Sequence, residues 1–311
     1  MSILKILIIG SNGFFGKNIK ILLQNKNCEI ICLDRKMVDV LDKVRLNQMF
    51  QEIKPDVVIN CCGIIGSSHS NKEKNQLDIL NTNILLNMNI LECCNIHSVQ
   101  KVILFSTYRM VSQDIKPFYN EQDLNFINLN DNQINNGYLM SKKIMQIQSE
   151  ILKQMNNSMQ IITFILPNIF GCYDVFIPNG RIVASLITKI TAQNTDDIHI
   201  HSHPDTLVNI ICINDIVRLL DICIQSTVIN GNIIIFNHKN TMSLEQLANK
   251  IKVLTNSGKQ ITFDSQLSYD HGNSMNPDTS KFESIFSNFE YSDSDDCLKE
   301  TIDFYLQSIN Q

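Results

Sequence analysis

The first half of the chain alternates short apolar runs with segments of helical spacing. Five runs are continuously apolar, as expected of strands buried on both faces of a parallel sheet: "ILKILIIG", "CEIICLD", "DVVINCCG", "KVILFST" and "QIITFILPN". Helical spacing follows in "GKNIKILLQN", "VRLNQMFQEI", "LDILNTNILLNMNILECCNI" and residues 138–155. This alternation predicts a doubly wound α/β domain with right-handed crossovers.

From about residue 170 the alternation loosens. The pattern predicts helices at "PNGRIVASLITKIT", "NDIVRLLDICI", "SLEQLANKIKVL" and "DCLKETIDFYLQSI", and strands at "TLVNIICI" and "NIIIFN". Residues 265–295 are polar and are expected to be irregular. We therefore predict a larger domain over residues 1–169 and a smaller C-terminal lobe over residues 170–311, with residues 207–236 returning to the sheet.

Composition and charge narrow the functional classes. The 311 residues are 44% hydrophobic and 18% charged, as in an ordinary soluble globular protein. A net charge of −5 and the lack of a basic stripe argue against nucleic acid as a partner. No apolar run reaches the length of a membrane span, and the opening run is unlike a secretory signal.

The ten cysteines predict free thiols. Two adjacent pairs, Cys61–Cys62 and Cys93–Cys94, lie inside apolar segments, where cysteine serves as a small buried hydrophobe. The sequence has no CxxC and no Cys/His metal spacing. We therefore expect a reduced, cytoplasmic protein.

A glycine-rich turn follows the first predicted strand and opens the first helix. Gly10, Gly13 and Gly16 form the pattern GxxGxxG there. Glycines let the backbone approach a pyrophosphate, and a helix N-terminus supplies N–H donors. Asp34 closes the second strand, where a ribose-binding acid is expected. The context predicts a Rossmann-type dinucleotide site rather than glycines that serve only a tight turn.

The choice of dinucleotide stays open at this point. Asp34 would accept a hydrogen bond from a free ribose 2′-OH, which suits NADH. Arg35 and Lys36 follow at once and can neutralise the extra phosphate of NADPH, although either can be a solvated turn residue. Asp39 is a candidate for the adenine amino group. We predict a preference for NADPH, weakly opposed by Asp34.

Candidate catalytic groups lie at a strand end and at the start of the next helix. "FSTYRM" places Ser106 and Thr107 at the carboxyl end of a central strand, where α/β folds keep their chemistry. Tyr138 and Lys142 share a helical face, as a solvated surface pair also would. An ammonium lowers the pKa of a nearby phenol, so we expect Lys142 to lower the pKa of Tyr138. Ser106 would hold a substrate carbonyl while Tyr138 donates its proton.

These marks together resemble the extended short-chain dehydrogenase/reductases. The resemblance rests on Gly10–Gly16, Asp39, Ser106 and Tyr138-x-x-x-Lys142. Within that family it extends along nearly the whole chain to the GDP-L-fucose synthases, which epimerise and reduce GDP-4-keto-6-deoxymannose. The matching stretches are "IIGSS", "NILLNMNIL", "PNIFGCYD" and "ITFD".

The resemblance implies roles for individual residues. Ser106 would polarise the keto oxygen, Tyr138 would protonate it, and Lys142 would also hold the nicotinamide ribose. Implied substrate contacts come from Thr107, Asn168, Arg181 and Lys189, and no metal is implied. Besides Tyr138 and Lys142, the implied cofactor contacts are Gly10, Asn12, Gly13, Phe14, Phe15, Gly16, Asp34, Arg35, Lys36, Asp39, Val40, Cys61, Cys62, Gly63 and Asn83.

The sequence departs from this family at two places. The family's epimerase cysteine and histidine correspond to Tyr108 and, allowing one gap, Arg181, and arginine is no general acid at neutral pH. Tyr108 would be an acid/base if its hydroxyl faces the sugar, or it would only stack on the sugar. Two phosphate-clamp positions hold Val208 and Ser274–Met275, whereas Lys189 is retained. Epimerisation at C3 or C5 and the nucleotide, GDP or UDP, therefore stay open.

Three histidines, His199, His201 and His203, alternate in "HIHSHP" and would share one face of a strand. No Asp, Glu or Cys lies at ligand-like spacing from them. We therefore expect no metal, and a surface or lobe-interface role for these side chains.

The sequence thus predicts an NAD(P)H-dependent reductase of a nucleotide-linked 4-keto-6-deoxyhexose. One rival is a 4-epimerase or dehydratase that retains NAD, but dehydratases carry Asp-Glu where this chain has Tyr108–Arg109. The other is a non-catalytic NAD(P)-sensing protein, a class that commonly loses the active tyrosine. The helices holding Asn83–Cys94 and Tyr138–Leu152 are apolar on more than one side, which predicts a homodimer unless the extra face packs inside the monomer.

Overall fold

The structure, a computed structural model, describes residues 3–24, 26–65, 76–110, 119–123, 136–178, 180–193, 197–267 and 276–309. Its strands are β1 (Leu4–Ile9), β2 (Cys28–Leu33), β3 (Val57–Asn60), β4 (Lys101–Thr107), β5 (Gln160–Leu166), β6 (Asn168–Phe170), β7 (Ile198–Ile200), β8 (Leu207–Cys212), β9 (Gly231–Ile234), β10 (Thr241–Ser243) and β11 (Ile261–Phe263). Its α-helices are α1 (Phe14–Leu23), α2 (Lys43–Ile53), α3 (Gln76–Ile96), α4 (Gly137–Met155), α5 (Ile182–Thr191), α6 (Ile213–Gln225), α7 (Leu244–Leu254), α8 (Ser280–Ile285) and α9 (Ser294–Ile309).

Six parallel strands form the larger sheet, in the order β2-β1-β3-β4-β5-β9. Side chains of β1 alternate between two cores, with Ile6 and Ile8 on one face and Leu7 and Ile9 on the other. Helices α1, α6 and α8 cover the first face, and α2, α3 and α4 cover the second. Burial on both faces explains the continuous apolar runs, and the predicted doubly wound α/β fold is confirmed.

A smaller lobe is built from elements after residue 167. Strands β6, β8 and β10 form a sheet in the order β10-β8-β6, while β7 and β11 form a parallel pair. Helices α5, α7 and α9 contribute apolar side chains to the core of this lobe. Of the two strands in residues 207–236, β9 joins the large sheet, whereas β8 lies in the smaller one. Four strands of three residues each, β6, β7, β10 and β11, are too short to leave a periodic pattern in the sequence.

The segment after residue 265 contains a helix that the sequence did not predict. Residues 265–295 were expected to be irregular, but α8 lies within them and places Phe282 in the large core, next to Phe286. Among the helices of the described ranges, none is long and apolar enough to cross a membrane.

A buried lysine ties β4 to α6 at the amino end of the large sheet. Lys101 Nζ donates to the carbonyl oxygens of Cys223 (2.7 Å), Ile224 (2.6 Å) and Ser226 (2.6 Å). These carbonyls end α6, where the helix dipole also attracts a cation. Burial lowers the pKa of Lys101, and three acceptors match the three donors of its ammonium group.

Candidate active site

The glycine-rich turn forms a cradle between β1 and α1. Gly10 has a φ of +82°, and a Cβ at this position would lie 2.9 Å from Cys62 Sγ. A Cβ on Gly16 would overlap Gly10 O, so this turn closes only with glycine at both positions. Gly13 is the N-cap of α1 and brings no side chain to the first-turn N–H groups. The cradle therefore fits the pyrophosphate of a dinucleotide.

The acid at the end of β2 is already engaged by protein groups. Asp34 accepts from the side-chain amide of Asn12 and, at 2.8 Å, from the backbone N–H of Lys36. Arg35 is exposed and lies 3.7 Å from the carboxylate of Asp39. Such an exposed pair contributes about 0–1 kcal/mol, so Arg35 can readily exchange it for a phosphate.

The predicted tyrosine and lysine meet at the start of α4. Asn136 caps this helix by accepting from the backbone N–H of Leu139 at 3.1 Å. Lys142 Nζ lies 5.7 Å from the centroid of the Tyr138 ring and donates to Phe105 O at 2.8 Å. Burial lowers the pKa of Lys142 to about 8. The pair therefore lies against the carboxyl end of β4, next to Ser106.

The electrostatics of Tyr138 differ from the prediction. Burial raises the pKa of Tyr138 above its ordinary value, and Arg181 and Arg109 partly oppose this effect. The expectation that Lys142 lowers this pKa is therefore wrong for this structure. Two arginines are the cations that act on the phenol, and the phenol is held in its protonated form.

The two hydroxyl residues at the end of β4 are held by weak contacts. Ser106 is buried, and its hydroxyl donates to Met110 Sδ at 3.4 Å. Thr107 Oγ1 accepts from the backbone N–H of Arg109 at 3.3 Å. Because a thioether is a weak acceptor, the Ser106 hydroxyl can exchange Met110 for a carbonyl oxygen.

Tyr108 does not face the site. A 3-10 turn over Tyr108–Met110 follows β4 and directs Tyr108 into a buried cluster with Tyr119, Ile165 and Phe236, leaving the side chain 5% exposed. The two roles that the sequence left open for Tyr108, acid/base and stacking, both need it to face the sugar, and its burial in this cluster supports neither.

The loop after β3 lies beside Lys142. A Cβ on Gly63 would lie 4.0 Å from Lys142 Nζ. Burial raises the pKa of the Cys61 thiol well above its ordinary value and that of Cys62 to about 11, so both thiols are neutral beside the ammonium. Val40, on the other side of β1, is buried in the second core.

A buried asparagine connects this loop to the catalytic helix. Asn83 accepts from the Ile64 N–H (2.8 Å) and donates to Ile64 O (3.0 Å) and Ser141 Oγ (3.1 Å). Ser141 in turn donates to Tyr138 O at 2.7 Å. Both ends of the Asn83 amide are thus engaged by the protein, which makes it a positioning residue. Sequence reasoning missed Ser141, and also Asn87, one helical turn after Asn83, which accepts from Asn60 at 2.9 Å.

Arg181 joins the small lobe to the cradle. It forms an ion pair with the buried carboxylate of Asp174, and its guanidinium lies 4.8 Å from the ring centroid of Phe14 at the start of α1. Asp174 was not predicted, because the pairing depends on the fold of the loop after β6. The side chain of Asn168 forms a hydrogen bond within the small sheet, donating to Asn209 O at 3.1 Å.

The remaining predicted substrate positions are not brought to this cluster by any described contact. Lys189 lies near the end of α5, and its carbonyl oxygen accepts from Lys259 Nζ at 3.2 Å. Val208 is buried in β8. Ser274–Met275 lie outside the described residues.

The histidines have a partner that spacing did not reveal. Asp264 follows β11 and reaches His199 Nε2 at 2.8 Å and His201 Nδ1 at 3.1 Å. The sequence separation of more than 60 residues hid this carboxylate.

The chain is similar to two proteins that are named as GDP-sugar synthases. GDP-L-colitose synthase of Yersinia pseudotuberculosis is 27% identical over 188 residues, which are 60% of this chain and 60% of that protein. GDP-L-fucose synthase of Dictyostelium discoideum is 24% identical over 63% of this chain and 62% of that protein. The match thus spans about three fifths of the length of these relatives.

The fold has close neighbours among solved structures. A GDP-L-fucose synthetase from Naegleria fowleri bound to NADP superposes with a TM-score of 0.86 at 21% identity, over 99% of this chain and 94% of that one. A model of the NAD dependent epimerase/dehydratase family matches residues 6–237. The resemblance drawn from the sequence is confirmed at this level. The chain belongs to the NAD dependent epimerase/dehydratase family.

Proposed function

We propose that this enzyme is an NADPH-dependent 4-reductase of a nucleotide-linked 4-keto-6-deoxyhexose, acting in the cytoplasm in deoxysugar biosynthesis. The observation that carries the proposal is the Tyr138–Lys142 pair at the carboxyl end of β4, beside a dinucleotide cradle. The sugar class is supported by the relatives, which are named as GDP-L-fucose and GDP-L-colitose synthases.

The residues divide the work of carbonyl reduction. The bound dinucleotide supplies hydride. Tyr138 donates a proton to the carbonyl oxygen, and its raised pKa keeps the phenol protonated at neutral pH. Ser106 turns its hydroxyl from Met110 to the same oxygen. The Lys142 ammonium has three N–H donors. One donates to Phe105 O, so the other two can bind ribose hydroxyls.

Arg181 is the proposed contact to the substrate diphosphate. Its guanidinium already lies at the cradle, and Asp174 orients it. Guanidinium groups bind phosphate oxygens through paired donors. Lys189 lies near the other end of the same helix, and no described contact places it beside Arg181.

The preference for NADPH rests on Arg35 and Lys36. Asp34 is engaged by Asn12 and the Lys36 N–H, so it is less available to a free 2′-OH, and Arg35 is held only by an exposed ion pair. The Naegleria fowleri neighbour bound to NADP has the same fold. Arg35→Ala should weaken NADPH binding more than NADH binding. Equal weakening of both, or tighter native binding of NADH, would refute the preference.

The decisive experiment is a substrate panel. The protein is incubated with NADPH and GDP- or UDP-linked 4-keto-6-deoxy sugars, with and without acetamido groups, and oxidation of NADPH is followed. We expect one member to be reduced at C4. If the protein copurifies with NAD and interconverts 4-epimers without net oxidation, it is an epimerase. If it binds NADPH but reduces no member, it is a sensing protein.

Epimerisation is tested by running the reaction in D₂O. Because Tyr108 is buried, we expect Tyr108→Phe to leave any deuterium incorporation at C3 or C5 unchanged. Loss of deuterium incorporation in this variant would show that Tyr108 takes part in epimerisation. A wild-type product without deuterium at both carbons identifies a reductase only.

A further inference from the structure

The small lobe carries a second cluster of polar side chains that the proposed reduction does not use. His199 lies on β7, His201 directly follows this strand, and Asp264 follows the parallel strand β11. Each carboxylate oxygen of Asp264 is met by one imidazole nitrogen, Oδ1 by His199 Nε2 and Oδ2 by His201 Nδ1. The ligand atoms of the three residues all lie within 4.8 Å of one another.

The hydrogen bonds around His199 orient its imidazole for a cation. Thr262 Oγ1 lies 3.0 Å from His199 Nδ1 and donates its own proton to Ile198 O at 3.3 Å. Its oxygen can therefore accept the Nδ1 proton of His199. In that tautomer the Nε2 lone pair is free to bind a metal ion beside the Asp264 carboxylate.

The backbone holds the two halves of the cluster together. Asp264 N donates to Ser202 O at 3.2 Å, which ties the turn after β11 to the segment carrying the histidines. A metal ion at 2.0–2.1 Å from each ligand needs them about 3–3.5 Å apart. His201 is 82% exposed in its side chain, so its ring can turn to meet this requirement without disturbing the core.

We propose that His199, His201 and Asp264 form a binding site for a divalent transition metal such as Zn²⁺. Two imidazoles and one carboxylate match the ligand preference of Zn²⁺, and water completes the coordination at this exposed position. Thr262 has the role of the group that fixes the tautomer of a metal-binding histidine. The ion links the β7 segment to the β11 segment, and so stabilises the small lobe.

The test measures Zn²⁺ bound by the untagged full chain in chelator-free buffer. The ten thiols can also bind Zn²⁺, so the site is counted as the difference between the wild type and a His199→Ala/His201→Ala variant. We expect a difference of one equivalent, its loss in Asp264→Asn, and a rise in the melting temperature of the wild type on adding Zn²⁺. His238→Ala, which removes another exposed histidine, is the matched control and should bind as the wild type does.

Thr262→Val separates a metal site from a simple ion pair. Thr262 is not a ligand, so this variant should retain the equivalent but bind it about 10–100-fold more weakly, as expected when a supporting hydrogen bond is lost. Circular dichroism confirms that each variant is folded. If the wild type and the double variant bind the same amount of Zn²⁺ with the same affinity, the cluster is a histidine–aspartate ion pair and the proposal is wrong.

Discussion

Each end of β4 meets a buried lysine, and the two lysines are held differently. Lys101, at the amino end, donates to three carbonyl oxygens that end α6. Lys142, at the carboxyl end, donates to one described acceptor, Phe105 O, and lies beside the Tyr138 ring. Burial lowers the pKa of both ammonium groups. An ammonium group whose three donors all have protein acceptors stabilises the fold, whereas one with donors left over can bind a ligand.

The same contrast separates the two edges of the large sheet. At the amino edge, protein carbonyl oxygens accept from all three donors of the Lys101 ammonium. At the carboxyl edge, Ser106 is paired with a weak acceptor and Gly13 brings no side chain to the helix N-terminus. Incomplete satisfaction marks the edge where we place the chemistry, in line with the position of sites in open α/β sheets.

The largest effect is expected from removing the proton donor at the carboxyl edge. Tyr138→Phe should reduce turnover of the keto-sugar by about 10²–10⁴-fold, because general acid catalysis is lost. Unfolding free energy and NADPH affinity should change little. Near-native reduction by this variant would contradict the proposed role of Tyr138.

Removing the lysine at the amino edge should have the opposite profile. Lys101→Met leaves three carbonyls without their donor and should lower the free energy of unfolding by about 1–3 kcal/mol. Below its melting temperature, the variant should keep the turnover number of the wild type. Urea denaturation and steady-state kinetics measure the two quantities. An unchanged stability would show that α6 does not depend on this contact.

The pH dependence of Lys142 should sharpen the contrast further. Its pKa in the folded protein, about 8, is below the ordinary 10.5, so between these values the unfolded chain binds more protons and stability rises with pH. The burial penalty is fully present below pH 8. Because Lys142 is proposed to hold the nicotinamide ribose, turnover should fall above about pH 8 as its ammonium is lost. Lys142→Arg stays charged and should lose this alkaline limb, and an identical limb in the variant would assign it to another group.

The smallest effect is expected at the outer face of α3 and α4. Leu85, Met88, Ile147 and Ile151 remain exposed there, and these helices pack on each other. The predicted homodimer would cover this face. Light scattering should give twice the monomer mass at micromolar concentration, and Ile151→Asp should shift it towards the monomer. A wild-type monomer would reject the dimer.

The sequence predicted those parts of the fold and site that depend on local pattern. Strands β1–β5 are continuous apolar runs because both faces are buried, and the glycine turn and the Tyr138–Lys142 spacing are local. Helix α3 is less regular as a pattern because it buries Asn83, Asn87 and Asn89 among its apolar residues. Pairings between residues far apart in the sequence leave no local pattern and were not predicted.

The sequence missed the contacts and orientations that depend on tertiary structure. Asp174 with Arg181, and Asp264 with the histidines, come together only through tertiary structure. Tyr108 was misjudged because a single 3-10 turn after β4 directs it inward. A strand-end rule gives the location of a residue, but the turn that follows decides where its side chain goes.

The three glycines of the cradle meet two different physical requirements. A Cβ at position 10 or 16 collides with the protein itself, whereas one at Gly13 would come no closer than 3.4 Å to Gly10 O. The need for glycine at positions 10 and 16 is therefore imposed by folding. At position 13 it would be imposed by the proposed dinucleotide, whose pyrophosphate requires close approach of the backbone. A variant that lost only Gly13 should therefore keep an intact scaffold and lose affinity for its cofactor.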